Sequence, residues 1–372
     1  MSFHSWLRNR TLLRSPRGRA QQRPAAPRFR PQLEALEDRW LPSTLTVFST
    51  NDNGPGSLRA EIAAAQTGDT IVFDPRLAGQ TISLTSGELA INKDLTIQGP
   101  GAAQLAVSGS AASRVFDVTS QKAVVTIAGL TIENGSADNG GGIENSGTLT
   151  VSACSLLDNG ASGDGGAIDN RGTTVVTNSI LSENGALNGG AIANRGGFTI
   201  SASTLNSNIA IHYGGAIANR GTATVANCTF SSDFPLDFRG GNHAVAGGGG
   251  AIANFGTMTV SNSTFDGADA NGAGGTIYNG GTMTVQGSRI TGSPGDSAFA
   301  GGTIFNTGQL TFSSSTVSGG PGGIVNEGKL DVTNASTVSG SELYAILNSG
   351  QLTISSDSTV GAIVQFNPGF GP

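Results

Sequence analysis

One octapeptide constrains this chain more than any other feature. Gly189–Gly196 and Gly214–Gly221 both read G-G-A-I-A-N-R-G, and Gly249–Gly256 differs only at Phe255. Following its Asn gives Asn145, Asn170, Asn194, Asn219, Asn254, Asn279, Asn306, Asn326 and Asn348, at spacings of 25, 24, 25, 35, 25, 27, 20 and 22 residues. A period of this length marks stacked supersecondary units, none of which can bury its apolar face alone. Each unit carries a second run, such as T-L-T-V from Thr148, T-A-T-V from Thr222 and T-M-T-V from Thr257 and Thr282. A third run ends at Asn159, Asn184 or Asn208. Apolar residues alternate with period two, so Leu149 and Val151 share one face while the Thr residues take the other. The N-x-G, N-G and G-G breaks supply the positive φ that tight bends need. Three short strands per unit and no helical period predict an all-β right-handed parallel β-helix of ten to eleven coils.

In such a fold, equivalent residues lie about 4.8 Å apart on successive coils. Ile143, Ile168, Ile192, Ile217, Ile252, Ile277 and Ile304 are expected to form one interior stack. Leu156, Leu181, Leu205, Phe230, Phe265, Ile290 and Val317 are expected to form another. The repeated Asn amides can bridge coils and satisfy backbone groups that a bend leaves unpaired. Cys154, Ser179, Ser203 and Cys228 fall in one column. Three steps separate the two thiols by roughly 14 Å, beyond disulfide reach, so both are expected to be free. Ser57–Gln66 places Leu58, Ile62 and Ala65 on one face behind a Ser N-cap, which predicts a short helix closing the N-terminal end.

Composition supports a turn-rich β protein and removes several classes. Gly contributes 57 of 372 residues without a Gly-x-y triplet, which excludes collagen. No apolar run reaches the roughly 18 residues of a membrane helix, and the two Cys and three His form no structural zinc pattern. Eight Arg and no acid occur before Glu34, so the remaining residues carry −14 of a net −6. The basic arm lacks the apolar stretch of a secretory signal and reads as a targeting or processing segment. No aromatic platform or basic fold follows it, so nucleic-acid binding is not expected. The expected boundaries are a basic leader at 1–43, an N-terminal cap at 44–92, the repeats at 93–366 and a tail at 367–372.

From Leu33 the chain reads L-E-A-L-E-D-R-W-L-P-S, which resembles the export-associated segment of planctomycete secreted and surface proteins. N-D-N-G-P-G-S-L-R, from Asn51, is similar to the start of many bacterial extracellular β-helix proteins. The G-G-A-I repeats resemble those of the chlamydial polymorphic outer-membrane proteins and of β-helix adhesins. These resemblances imply an exported or cell-surface scaffold of structural or adhesive role. Its expected partner is an extracellular glycan or envelope component, with no cofactor beyond calcium.

Parallel β-helices also include polysaccharide lyases and hydrolases, so the charged columns bear on function. Glu144 and Asp169 form an acidic pair, flanked by the basic column Arg171, Arg195 and Arg220. Stacked carboxylates of this kind suit calcium binding or sugar chemistry. They also arise wherever a repeat is duplicated, and in water they repel by under about 1 kcal/mol. Glu133, Asp158 and Glu183 sit at steps of 25 and are the candidate metal ligands. The surplus of the 35-residue step, Asp233–Gly248, carries Phe234, Phe238 and His243 and is a candidate binding loop. Carbohydrate clefts favour Trp and Tyr, and only three Tyr occur in the chain. No residue is expected to be catalytic.

Overall fold

The computed structural model of the chain describes residues 42–231, 241–293, 302–340 and 343–366. Residues 1–41 of the basic leader, Phe234 and Phe238 lie outside the described residues. Each coil runs through three parallel sheets, as in Thr148–Ser152, then Ser155–Leu157, then Ile168–Asn170, before Thr173–Thr177 begins the next. These sheets contain 13, 12 and 12 described strands, and every pairing between their strands is parallel. The chain is therefore a parallel β-helix. We call the sheet containing Ile168–Asn170 the Asn-ladder sheet.

Two expectations needed correction. There are more than ten to eleven coils, because Thr44–Val47, Asp69–Phe73, Gln80–Ser83 and Leu89–Ile91 already belong to the three sheets. Three strands per coil is also too few in one stretch. Six further short strands, from Ser136–Ala137 to Asp269–Ala270, form a fourth sheet. Four of the six are only two residues long, and strands that short carry no readable alternation.

The core forms as the repeats dictate. The Ile stack pairs residue for residue, with Ile192 opposite Ile168 and Ile217, and is fully buried. The Leu/Phe stack is equally buried, and Phe230 and Phe265 stack with ring centroids 4.4 Å apart. Outside the 13-stranded sheet, Thr199, Thr224, Thr259 and Thr284 line up on successive coils, with Val175 interrupting the column. Among the described residues, no helix is long and apolar enough to cross a membrane.

Each letter of the octapeptide has a structural cause. Gly189 adopts φ +62°, and a β-carbon there would stand 2.1 Å from the Ile192 carbonyl oxygen. At Gly190 and Gly196 the obstacle is the neighbouring coil, with carbonyl oxygens at 2.3 Å (Gly215) and 2.0 Å (Gly172). Ile192 enters the core and Asn194 joins the ladder. From Asn145 to Asn348, each Asn Nδ2 donates to the Oδ1 of the next Asn at 2.7–2.9 Å. Gln365 ends the series, accepting from Asn348 at 3.0 Å. A second ladder joins Asn159, Asn184, Asn208 and Asn242. The Cys column is the start of a Ser ladder in which the Cys228 N–H donates to Ser263 Oγ and the Ser263 N–H to Ser288 Oγ. Cys154 and Cys228 are both buried and free.

The N-terminal end carries the expected helix, α1 (Leu58–Ala64), with Ser57 Oγ accepting from the Ala60 N–H. The N-D-N-G-P-G-S-L-R segment is a clasp. Asp52 accepts from Arg59 and from the Thr85 and Ser86 N–H groups, while Arg59 also donates to the Gly87 and Glu88 carbonyls. Burial would raise the Asp52 carboxyl, but these donors hold it down at about 2.

Candidate functional site

In each strand of the Asn-ladder sheet, the residue between the core Ile and the ladder Asn faces outward, by the two-residue alternation of a strand. Register places Ala90, Asp117, Glu144, Asp169, Ala193, Ala218, Ala253, Tyr278 and Phe305 in this column. The residue after each Asn forms a parallel column of Arg171, Arg195, Arg220 and Phe255. The face is ionic over its first coils and aromatic over its later ones.

The ionic half is a chain of carboxylates and guanidiniums. Arg114 lies 2.5 Å from both Glu88 and Glu144 and 3.7 Å from Asp117. Arg171 pairs with Glu144 and lies 3.1 Å from Asp169. Arg195 pairs with Asp169 and Asp164, and Arg220 lies 3.8 Å from Asp164. The Asp169 side chain is fully buried, and its Oδ2 makes no hydrogen bond despite the nearby Arg171. Burial pushes its carboxyl above the ordinary range, against the pull of Arg195 and Arg171.

Asp117 is the group most displaced towards neutrality. Burial, together with the charges of Glu88 and Glu144, outweighs Arg114 and raises it to about 6. An unfolded Asp titrates near 3.9, so the folded state holds this proton more tightly. Its stabilising contribution is complete below about pH 4 and is lost as pH rises through 6. Asp117→Asn is expected to remove that dependence and to stabilise the protein at pH 8 by about 2–3 kcal/mol relative to wild type. Urea unfolding at pH 4.5 and 8 checks this. A wild-type pH slope unchanged in the variant would refute the assignment.

The aromatic half brings together side chains that lie far apart in sequence. Ring centroids are 5.2 Å apart for Tyr213 and Phe255, 5.4 Å for Phe255 and Tyr278, and 5.8 Å for Tyr278 and Phe305. All four rings are partly exposed. The Arg220 guanidinium sits 5.4 Å from the Phe255 ring centre and joins the two halves by a cation–π contact.

The structure places the sequence candidates unevenly. Glu144 and Asp169 are paired in register, and the three Arg form the flanking column. His243 stands in the fourth sheet between Ile209 and Asp269, with its Nδ1 3.7 Å from Asp269 Oδ2. Glu133 is opposite Leu157, whereas Asp158 and Glu183 occupy left-handed corners at φ +54° and +59°. Glu133 is one residue out of that column, and burial and the Asp158 charge raise its carboxyl. Among the described residues, no three His, Cys, Asp or Glu side chains converge as a metal-holding group.

Sequence reasoning missed Glu88, Arg114, Asp117 and Asp164, and it dismissed the aromatics as too few. Extending the Glu144 column back by one coil would have found Asp117. Tyr213 could not have been found in this way, because it lies on the fourth sheet.

No family profile matches the sequence, and no curated protein matches it. Several solved structures are similar. Pectate lyase Pel9A shares 16% identity over 85% of this chain and 78% of its own, with a TM-score of 0.45. The A-module of the Azotobacter vinelandii mannuronan C-5 epimerase AlgE6 shares 12% identity over 86% and 97%, with a TM-score of 0.49. An alginate lyase from Paenibacillus shares 9% identity over 86% and 98%, with a TM-score of 0.41.

Proposed function

We propose that this chain is an extracellular β-helix that binds a polysaccharide along the outer face of its Asn-ladder sheet. The observation that supports this most strongly is the run of Tyr213, Phe255, Tyr278 and Phe305 beside Arg220. Partly exposed rings offer apolar surfaces to the C–H faces of sugars, and a few polar groups fix orientation. Arg171, Arg195 and Arg220 keep 35–45% of their side chains exposed, which favours sugars bearing carboxylates. Extracellular placement draws its support from the L-E-A-L-E-D-R segment. The structural or adhesive role expected from the repeats becomes, in this reading, glycan attachment.

Affinity electrophoresis against uronate, glucan and chitin-type polymers tests the proposal. A uronate polymer is expected to bind the wild type. A Phe255→Ala, Tyr278→Ala double variant is expected to lose at least tenfold in affinity while its melting temperature stays within a few degrees. Equal retardation of both proteins would remove the face from the account.

One observation favours a second reading, in which the same polymer is also cleaved. Asp117 retains a proton to about pH 6, while Glu144, one coil away, is held by Arg114 and Arg171. A protonated carboxyl paired in register with a second carboxyl on the adjacent coil suits retaining glycoside hydrolysis. Release of reducing ends that falls above pH 6 and disappears in Asp117→Asn, with binding intact, would establish cleavage. Binding without any product would leave the attachment reading alone.

A further inference from the structure

At the N-terminal end of the ionic column, α1 and the first strand of the Asn-ladder sheet enclose a cavity of about 400 Å³. Its walls include Ile62 and Ala63 of α1, Leu89 and Ala90 of the strand, and the polar side chains of Lys93 and Thr119. The cavity is continuous with the face described above, because Ala90 pairs directly with Asp117 and Thr119 follows two residues later. Its volume lies at the lower end of the range for small-molecule sites. Lys93 Nζ donates to the carbonyls of Ile62 (3.2 Å) and Ala65 (2.7 Å), which leaves one of its three N–H groups without an acceptor among the described residues.

We infer that this cavity is a subsite for the terminal sugar of the bound chain, so that the protein recognises polysaccharide ends rather than interiors. The inference rests on the glycan reading. A saccharide lying over the partly exposed Glu144 and Asp117 meets α1 one coil later and can extend no further. The exposed Ala90 faces a ring, and the spare Lys93 N–H serves a sugar hydroxyl or carboxylate. Glu88, at the rim, accepts from a hydroxyl.

Calorimetry with homouronate tetrasaccharides tests this, using three forms: free, fluorophore-capped at the reducing end, and fluorophore-capped at the other end. Capping one end is expected to weaken binding at least tenfold and capping the other to have little effect. Ala63 is exposed on α1, so Ala63→Trp should fold while plugging the cavity. It is expected to reproduce the loss for the free tetrasaccharide, and Ala63→Ser is not. If both capped forms bind like the free one and Ala63→Trp binds normally, end recognition is wrong while the glycan reading stands. If no saccharide binds at all, both fall together.

Discussion

Replacing Asn219 by Leu is expected to cost about 4 kcal/mol of stability. The Asn219 side chain is fully buried, and its Nδ2 donates to Gly221 O (3.1 Å), Asn254 Oδ1 (2.8 Å) and Thr257 O (3.1 Å). Its Oδ1 accepts from Asn194 Nδ2 and from the Gly221 N–H. Leu fills much of the volume but strips the Gly221 N–H and Asn254 Oδ1 of their partner, and each orphaned buried group costs about 1–3 kcal/mol; Asn194 Nδ2 and Gly221 O keep other partners. Urea unfolding followed by circular dichroism measures the loss. Thr224→Ala, on the outer face of the 13-stranded sheet, is expected to change stability by only about 0.5 kcal/mol. Because coils interact mainly with their neighbours, the Asn219 lesion is also expected to broaden the transition or split it in two. A variant that unfolds like the wild type would show that the ladder contributes little.

A comparable effect is expected from a single methyl group. A β-carbon at Gly190 would lie 2.3 Å from the Gly215 carbonyl oxygen and 2.5 Å from that of Ile209, both on the next coil. Neither backbone can retreat without breaking its own pairing, so Gly190→Ala is expected to destabilise by more than about 4 kcal/mol or to prevent folding. Gly185, five residues earlier, has only the Ile209 oxygen near its β-carbon position, at 4.0 Å. Gly185→Ala is therefore expected to stay within about 1 kcal/mol of the wild type. Equal tolerance at both sites would mean that the coils are not packed as closely as described.

These two residues show why so much of the fold was legible in the sequence. Stacking forces the same physical problem on every coil, so one solution recurs as identical letters: Gly where backbones touch, Ile inside and Asn at the bend. Lone features stayed hidden. The strands at Asp69–Phe73 and Gln80–Ser83 were legible as Thr70–Phe73 and Thr81–Leu84, but the clasp between Asp52 and Arg59 and the fourth sheet occur once or carry little alternation.

The functional face was legible only in its repeated part. Glu144, Asp169 and the Arg column stood out because they recur at the coil period. The aromatic run did not, since only Tyr278 and Phe305 share a place in their repeats, while Tyr213 and Phe255 come from other columns and join them only after folding. Asp117 stood one coil back along the Glu144 column, but its chemistry could not be read from that position. Its raised proton affinity comes from burial beside Glu88 and Glu144, a property of the assembled face rather than of the residue's local sequence.

Oxidative footprinting of the protein with and without a bound uronate polymer tests the proposed face most directly, because hydroxyl radicals report on exposed rings. The account predicts that Phe255, Tyr278 and Phe305 become several-fold less reactive in the complex, while Phe48, 56% exposed on the first coil, is unchanged. Unaltered reactivity at those three rings, with protection appearing elsewhere on the helix, would contradict it.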